Sequence, residues 1–139
     1  MSEGFARQVA GHVPVLRLGD VLLVTLQGDL YDSTAHQLQQ DLSETIARSG
    51  VTGVVIDISG VEIVDSFLGR VLAEIAAQTE LLAARTVVAG MRPAVAITLV
   101  ELGLTLPGLQ TALTTEAAME LLAQPIVSLR SGGMREGRR

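Results

Sequence analysis

The chain has no cysteine, so it cannot form disulfides, use thiol chemistry or build a cysteine-ligated zinc site. It also has no lysine, since all 10 basic residues are arginine, and this excludes the lysine-containing phosphate-binding loop of nucleotide hydrolases. Aromatic residues make up only 2% of the 139 residues, whereas hydrophobic residues make up 48%. The core must therefore be built from Leu, Val, Ile and Ala, and the composition favours one folded domain over a disordered chain.

Signals for membrane insertion, secretion and catalysis are also missing from the sequence. No apolar run reaches the ~20 residues of a membrane span, and residues 1–7 lack the pattern of a secretion signal. We therefore expect a soluble, cytoplasmic protein. No Gly-x-Ser-x-Gly sequence occurs, and neither His12 nor His36 belongs to a recognisable catalytic motif. A metal site would have to rely on carboxylates alone. Because these catalytic and metal-binding motifs are missing, we expect neither an enzyme nor a cofactor.

Charge is distributed unevenly along the chain. The formal net charge is -5, and 4 of the 10 arginines lie at positions 130, 135, 138 and 139. The preceding part is strongly acidic, which should repel nucleic acid and suits a protein or cationic partner. Residues 1–12 and 124–139 are predicted to be a flexible arm and a disordered Gly/Arg-rich tail, on either side of a domain over residues 13–123.

The order of the apolar segments predicts an α/β fold with a mixed, mostly parallel sheet. Two apolar runs, 13–18 and 21–26, flank Gly19-Asp20, which is typical of a hairpin. Strands and helices then alternate, and this pattern favours parallel strands joined by crossover helices. The further strands are predicted at 53–58, 86–89 and 109–113, and the helices at about 32–50, 66–84, 93–102 and 114–122. The third helix is apolar nearly all round, so we expect the core and possibly a second subunit to bury it on more than one side.

One stretch, Val54-Val-Ile-Asp-Ile-Ser-Gly-Val-Glu-Ile-Val-Asp-Ser-Phe-Leu-Gly-Arg70, carries most of the functional information. Its first residues are typical of a buried strand, and Asp65 and Ser66 are both good helix N-caps. A hydroxyl is therefore expected at a helix N-terminus beyond the carboxyl end of a central strand, where ligands of open α/β sheets usually bind. Ser66 is a candidate structural cap and a candidate modification site, and the two roles are compatible, since a helix N-terminus tolerates a phosphate.

This stretch resembles the phosphorylation loop of STAS domains, the anti-sigma factor antagonists, and more narrowly that of the RsbS-type subunit of the stressosome. The resemblance covers roughly residues 13–122 and includes Gly90-Met-Arg-Pro93 as a second specific part. It implies the STAS fold and phosphorylation of Ser66 by a partner kinase. In RsbR-type paralogues a second phosphorylated threonine falls at the position of Thr98, for which helix packing is the alternative role.

Residues near Ser66 in the expected fold are candidates for contact with a partner protein. They are Asp29, Tyr31, Asp32, Asp65, Phe67 and Arg70. Tyr31 is expected to be either an anchor for the partner or a core residue. Arg70, one helical turn from Ser66, is expected to pair with a nearby carboxylate or to help hold the phosphate.

By the resemblance, the protein is a non-catalytic scaffold and antagonist. It would bind a switch serine/threonine kinase while Ser66 is unphosphorylated, assemble with itself and with RsbR-type paralogues, and be reset by a phosphatase. Two alternatives remain open from the sequence. One is a simpler antagonist that binds an anti-sigma kinase, and the other is a domain that binds a nucleotide or another small ligand at the Ser66 loop.

Overall fold

The computed structural model describes residues 13–27, 30–104 and 109–124. These residues form a five-stranded sheet in the order β1-β2-β3-β4-β5. The strands are β1 (Val15–Leu18), β2 (Val21–Gln27), β3 (Gly53–Gly60), β4 (Arg85–Ala89) and β5 (Leu109–Ala112). The predicted arm, most of the predicted tail and Asp29 lie outside the described residues.

The sheet has the mixed topology that the sequence predicts. β1 and β2 are antiparallel, with Leu18 opposite Val21 across the tight turn at Gly19, whose φ is 63°. All the other neighbouring pairs are parallel. The parallel strands therefore end at one edge of the sheet, which we call the carboxyl edge.

Four helices connect or follow these strands. They are α1 (Asp32–Ser49), α2 (Ser66–Leu81), α3 (Pro93–Glu101) and α4 (Thr115–Ala123). The second helix ends three residues before the predicted Ala84 because Ala83 has a φ of 65°, which is incompatible with a continuing helix.

The central strand β3 places its side chains alternately on the two faces of the sheet. Val54, Ile56 and Ile58 are fully buried in the larger core, which also contains the apolar stripes of α1 and α2. Val55 points to the other face and belongs to a smaller core that includes Ala118 of α4. Burial on both faces explains why the sequence here is a nearly continuous β-branched run.

Within the described chain the core buries one side of α3, and burial of its other side by a second subunit stays a prediction. Only Val95 and Leu99 are buried, whereas Ile97 is 59% and Val100 is 77% exposed. The helix covers the core with one side because the sheet presents a single surface to it. Its apolar outer side is exposed in the described chain.

Candidate functional site

Three loops emerge together at the carboxyl edge. β2 and β4 flank β3 as parallel neighbours, with Gln27 opposite Gly60 and Asp57 opposite Ala89. The segments that follow these three strands therefore start side by side. The segment after β2 contains Tyr31. The segment after β3 is the loop 61–65, which leads to Ser66, and the segment after β4 contains Arg92.

A bulge shapes the end of β3. Between the pairs Thr25–Asp57 and Gln27–Gly60, β3 contains one residue more than β2. A bulge of this kind bends the strand and redirects its side chains. The Asp57 carboxylate stabilises the bend by accepting a hydrogen bond from the Ser59 amide, at 2.9 Å.

The loop 61–65 is fixed to the core but carries an exposed apolar side chain. Val61 and Val64 are buried, and the Val61 amide donates to the Ile58 carbonyl oxygen at 2.9 Å. Between these two anchors, Ile63 is 86% exposed. The exposure of Ile63 could not be predicted from the sequence, because the apolar pattern does not show which member of the Val61-Glu-Ile-Val64 run faces solvent.

Ser66 is the first residue of α2 and is exposed. Asp65 provides the N-cap, and its carboxylate accepts a hydrogen bond from the Leu68 amide at 3.0 Å. The interpretation of Ser66 as the structural cap is therefore wrong. Since Asp65 performs that role, the Ser66 hydroxyl is left accessible at the helix N-terminus.

Tyr31 and Asp32 lie at the beginning of α1. Tyr31 occupies the N-cap position without a side-chain hydrogen bond, and Asp32 is the first helical residue rather than the cap. The Tyr31 side chain is 67% exposed, which decides against the core role considered from the sequence. Asp29, the third member of this predicted group, lies outside the described residues.

Phe67 and Arg70 form a pair on the first turns of α2. Phe67 is half-buried against the larger core, and the Arg70 guanidinium carbon lies 5.6 Å from the centre of its ring. This is a cation–π contact. Among the described residues no carboxylate forms an ion pair with Arg70, so the stacking on Phe67 replaces the expected salt bridge.

Arg92 links the third loop to the bulge. Its Nε donates a hydrogen bond to the Ser59 carbonyl oxygen at 3.0 Å, and the side chain is otherwise exposed. This contact holds the loop before α3 against the end of β3. A cationic side chain is thereby placed at the same edge as the loop that precedes Ser66.

Thr98 has a different environment from Ser66. It lies in the second turn of α3, is half-buried, and its hydroxyl donates to the Ala94 carbonyl oxygen at 3.0 Å. Such a bond to the preceding turn is common for threonine inside a helix. The hydroxyl of Thr98 is therefore engaged within its own helix.

The described ranges contain neither a cluster of metal ligands nor a membrane-spanning helix. No group of three histidine, aspartate or glutamate side chains in them is placed to hold a metal ion. None of the four helices has the length and apolar character needed to cross a bilayer.

The STAS domain model matches residues 12–118. The chain belongs to the STAS domain family. A serine-to-glutamate variant of RsbS from Moorella thermoacetica is 41% identical, with a TM-score of 0.71 over 80% of this chain and 94% of that chain. A chain in a structure describing the molecular architecture of the stressosome is 42% identical, with a TM-score of 0.70 over 79% and 96% of the two chains.

A longer protein is similar to most of this chain. The RsbT co-antagonist protein RsbRA of Bacillus subtilis is 28% identical over 121 residues, which are 84% of this chain but 43% of RsbRA. The chain thus spans less than half the length of that relative. The STAS fold and the similarity to stressosome RsbS are as predicted from the sequence.

Proposed function

We propose that this STAS domain is a non-catalytic scaffold and antagonist of the RsbS type. It binds a switch serine/threonine kinase while Ser66 is unphosphorylated and releases the kinase after Ser66 is phosphorylated. The observation that carries the proposal is the exposed Ser66 hydroxyl at the start of α2, next to an Asp65 that already caps the helix. A kinase can reach this oxygen without opening the fold.

The electrostatics of the carboxyl edge explain how such a switch would work. A phosphate adds about −1.5 to −2 charges at neutral pH. The N-terminal end of α2 stabilises this charge through its unpaired amides and its dipole. The surface around it already carries the exposed carboxylates of Glu62 and Asp65. Phosphorylation therefore preserves the domain while making this surface repel an acidic or apolar partner.

Two exposed apolar side chains provide the contact area for the kinase. Tyr31 and Ile63 are 67% and 86% exposed, and their loops leave neighbouring strands at the carboxyl edge. Aromatic and aliphatic side chains of this kind often dominate the binding energy of an interface. We propose Ile63, within the loop that leads to Ser66, and Tyr31, on the neighbouring loop, as anchors, with Asp32, Asp65, Phe67 and Arg70 around them.

RsbR-type paralogues and further copies of this chain are proposed to bind elsewhere. The apolar outer side of α3, formed by Ile97 and Val100, is exposed. The similarity to a stressosome chain and to RsbRA supports co-assembly of this kind. The size of the assembly in solution distinguishes this function from that of a simpler antagonist. A scaffold of the RsbS type should form an assembly much larger than a dimer with such a paralogue, whereas a simpler antagonist would remain small. For both functions, a phosphatase would remove the phosphate from Ser66.

Phosphorylation by a switch kinase is expected to occur on Ser66. The chain is incubated with ATP and the kinase, and the site is located by mass spectrometry. Ser66→Ala should abolish the added phosphate, because no other hydroxyl lies at the start of α2. Thr98→Ala, the control, should leave it unchanged. Phosphate of the same stoichiometry on Ser66→Ala would refute the proposed switch.

Ile63→Ser is expected to weaken kinase binding by about tenfold, which corresponds to about 1.4 kcal/mol. The domain should keep its stability, because the side chain is 86% exposed. The matched control is Leu81→Ser, because Leu81 is also highly exposed, at 88%. It lies at the other end of α2, about 22 Å from Ser66 at 1.5 Å per residue. Equal affinities of the two variants in calorimetric titrations would show that Ile63 is not an anchor.

A further inference from the structure

The strand β1 forms one edge of the sheet, and none of the other described strands pairs with its outer side. The two-residue turn after β1 makes Leu18 and Val21 a hydrogen-bonded pair, and such pairs alternate along an antiparallel ladder. The backbone groups of Leu16 and Leu18 therefore face β2, whereas those of Val15 and Arg17 face outwards. The outer side of β1 thus presents amides and carbonyl oxygens that another strand can bind.

The same strand exposes apolar side chains on the face of the sheet that packs against α4. Leu16 and Leu18 share this face with Leu23 and Val21, their partners on β2. Val21 belongs to the smaller core, and Leu23 is half-buried against it. Leu16 is 56% and Leu18 is 45% exposed, so the apolar surface of this face continues to the edge of the sheet and is open there. An open apolar edge of this kind favours pairing with another chain.

The order of side chains in β1 suits pairing with a second copy of itself. In an antiparallel pair centred on Leu16, Val15 of one copy lies opposite Arg17 of the other. These are the positions with outward backbone groups, so each of the two opposed pairs exchanges both of its hydrogen bonds. Leu16 then faces its counterpart at a non-hydrogen-bonded site, where the Cα atoms are about 4.5 Å apart and the side chains are closest. Pro14 does not obstruct the pairing, because its missing amide lies on the side that faces β2.

Charge on the other face of the sheet also fits a second copy. A recess of about 290 Å³ lies between β1 and α1. The charged residues in its lining are Arg17, Asp41, Glu44 and Arg48. The Nε of Arg17 donates a hydrogen bond to the Gly19 carbonyl oxygen at 2.8 Å, so within one chain two carboxylates share the recess with the single guanidinium group of Arg48. In the pair described above, Arg17 of the second copy lies beside Val15, which also lines this recess, and its charge complements the carboxylates.

We propose that β1 pairs antiparallel with β1 of a second copy, so that the two sheets become one continuous sheet. Addition of an extended strand to an exposed sheet edge is a common mode of recognition. Because the paired strands run in opposite directions, the carboxyl edges of the two copies point in opposite directions. Both Ser66 hydroxyls therefore stay accessible. The pairing is separate from the outer side of α3, and it depends neither on phosphorylation of Ser66 nor on binding of the kinase.

The absence of cysteine allows a direct test of this register in the full chain. Leu16→Cys places two Cα atoms about 4.5 Å apart across the pair, a separation at which a disulfide can form. Mild oxidation should convert at least half of this variant to a covalent dimer. The matched control is Leu18→Cys, on the same face and of similar exposure. Its two thiols would lie four residues apart along the paired strands, about 14 Å at 3.4 Å per residue, so less than a tenth should cross-link. Equal cross-linking of the two variants, or none of Leu16→Cys, would overturn the proposal.

Two substitutions of Arg17 test the backbone contact without a cross-link. Arg17→Pro removes one outward amide from each copy, and an edge strand tolerates proline where the amide faces outwards. Arg17→Ala removes the same charge but keeps the amide. The dissociation constant of the dimer, measured by analytical ultracentrifugation, should be at least tenfold higher for the proline variant than for the alanine variant. Equal constants would show that the outer edge of β1 does not pair.

A further pair of variants separates this contact from the other proposed surfaces. Val100→Ser on α3 and Ser66→Asp at the carboxyl edge should each leave the cross-linking of Leu16→Cys unchanged, because neither residue lies on β1. Loss of cross-linking with Val100→Ser would assign the contact between copies to α3 and overturn pairing through β1. A chain that stays monomeric and assembles only when an RsbR-type paralogue is added would likewise overturn pairing of like copies. The covalent dimer should still be phosphorylated on Ser66, and a dimer that forms but takes no phosphate would refute the switch alone.

Discussion

Ser66→Asp is expected to lower the affinity for the kinase at least tenfold without destabilising the domain. The aspartate introduces a charge into a surface that already contains Glu62 and Asp65. A charge that is desolvated in an interface without a partner costs well over the 1.4 kcal/mol that corresponds to a factor of ten. At the first position of α2 the same charge favours the helix, by about 0.3–1 kcal/mol, through the dipole.

The matched control is Ser66→Asn, which has nearly the same size and shape as aspartate but no charge. Its affinity for the kinase should remain within about threefold of the unmodified protein. Both variants are compared by titration calorimetry, and their folding is compared by urea unfolding. An asparagine variant as weak as the aspartate variant would show that shape, and not charge, determines release.

Gly90→Ala is expected to reduce the free energy of unfolding by about 3 kcal/mol. Gly90 has a φ of 74°, where a residue with a Cβ loses about 1–2 kcal/mol. The added Cβ would also lie 2.9 Å from the Cβ of Ser59 and 3.3 Å from the Asp57 carboxylate. The Ser59 Cβ cannot swing away, because it is bonded directly to the bulged backbone of β3, so overpacking adds about 1–2 kcal/mol.

Gly19→Ala separates the two contributions. Gly19 has a similar φ of 63°, but nothing lies within 4 Å of the position of its Cβ. Only the backbone term applies there, and the expected loss is about 1 kcal/mol. Urea unfolding of both variants measures the difference. Equal losses would show that β3 relaxes around the new methyl group and that the close approach at Gly90 is not costly.

The sequence alone was sufficient to predict the fold and the position of Ser66 at the start of a helix. The turn at Gly19-Asp20, the β-branched run of β3 and the alternation of strands and helices have purely local causes, so their patterns survive in a single sequence. The position of Ser66 at the start of α2 follows from the same local signals. The motif around it indicated the family that the comparisons then confirmed.

Other features depend on how the elements pack together. Gly69 is costly within a helix, and the reason lies 35 residues away, since an added Cβ would collide with the Leu104 side chain. Arg70 stacks on Phe67 because the half-buried ring presents its face to the guanidinium group. Likewise, the apolar pattern cannot distinguish the buried Val64 from the exposed Ile63.

The sequence by itself therefore determined the order of the elements, the α/β class and the hydroxyl at the start of α2. These features depend on hydrophobic periodicity, turn residues and helix caps, which act over a few neighbouring residues. Only the tertiary structure decided that Tyr31 and Ile63 face solvent and that Gly69 lies against Leu104. Each of these depends on which surfaces the sheet and helices bury against one another, and residues distant in the chain determine that burial.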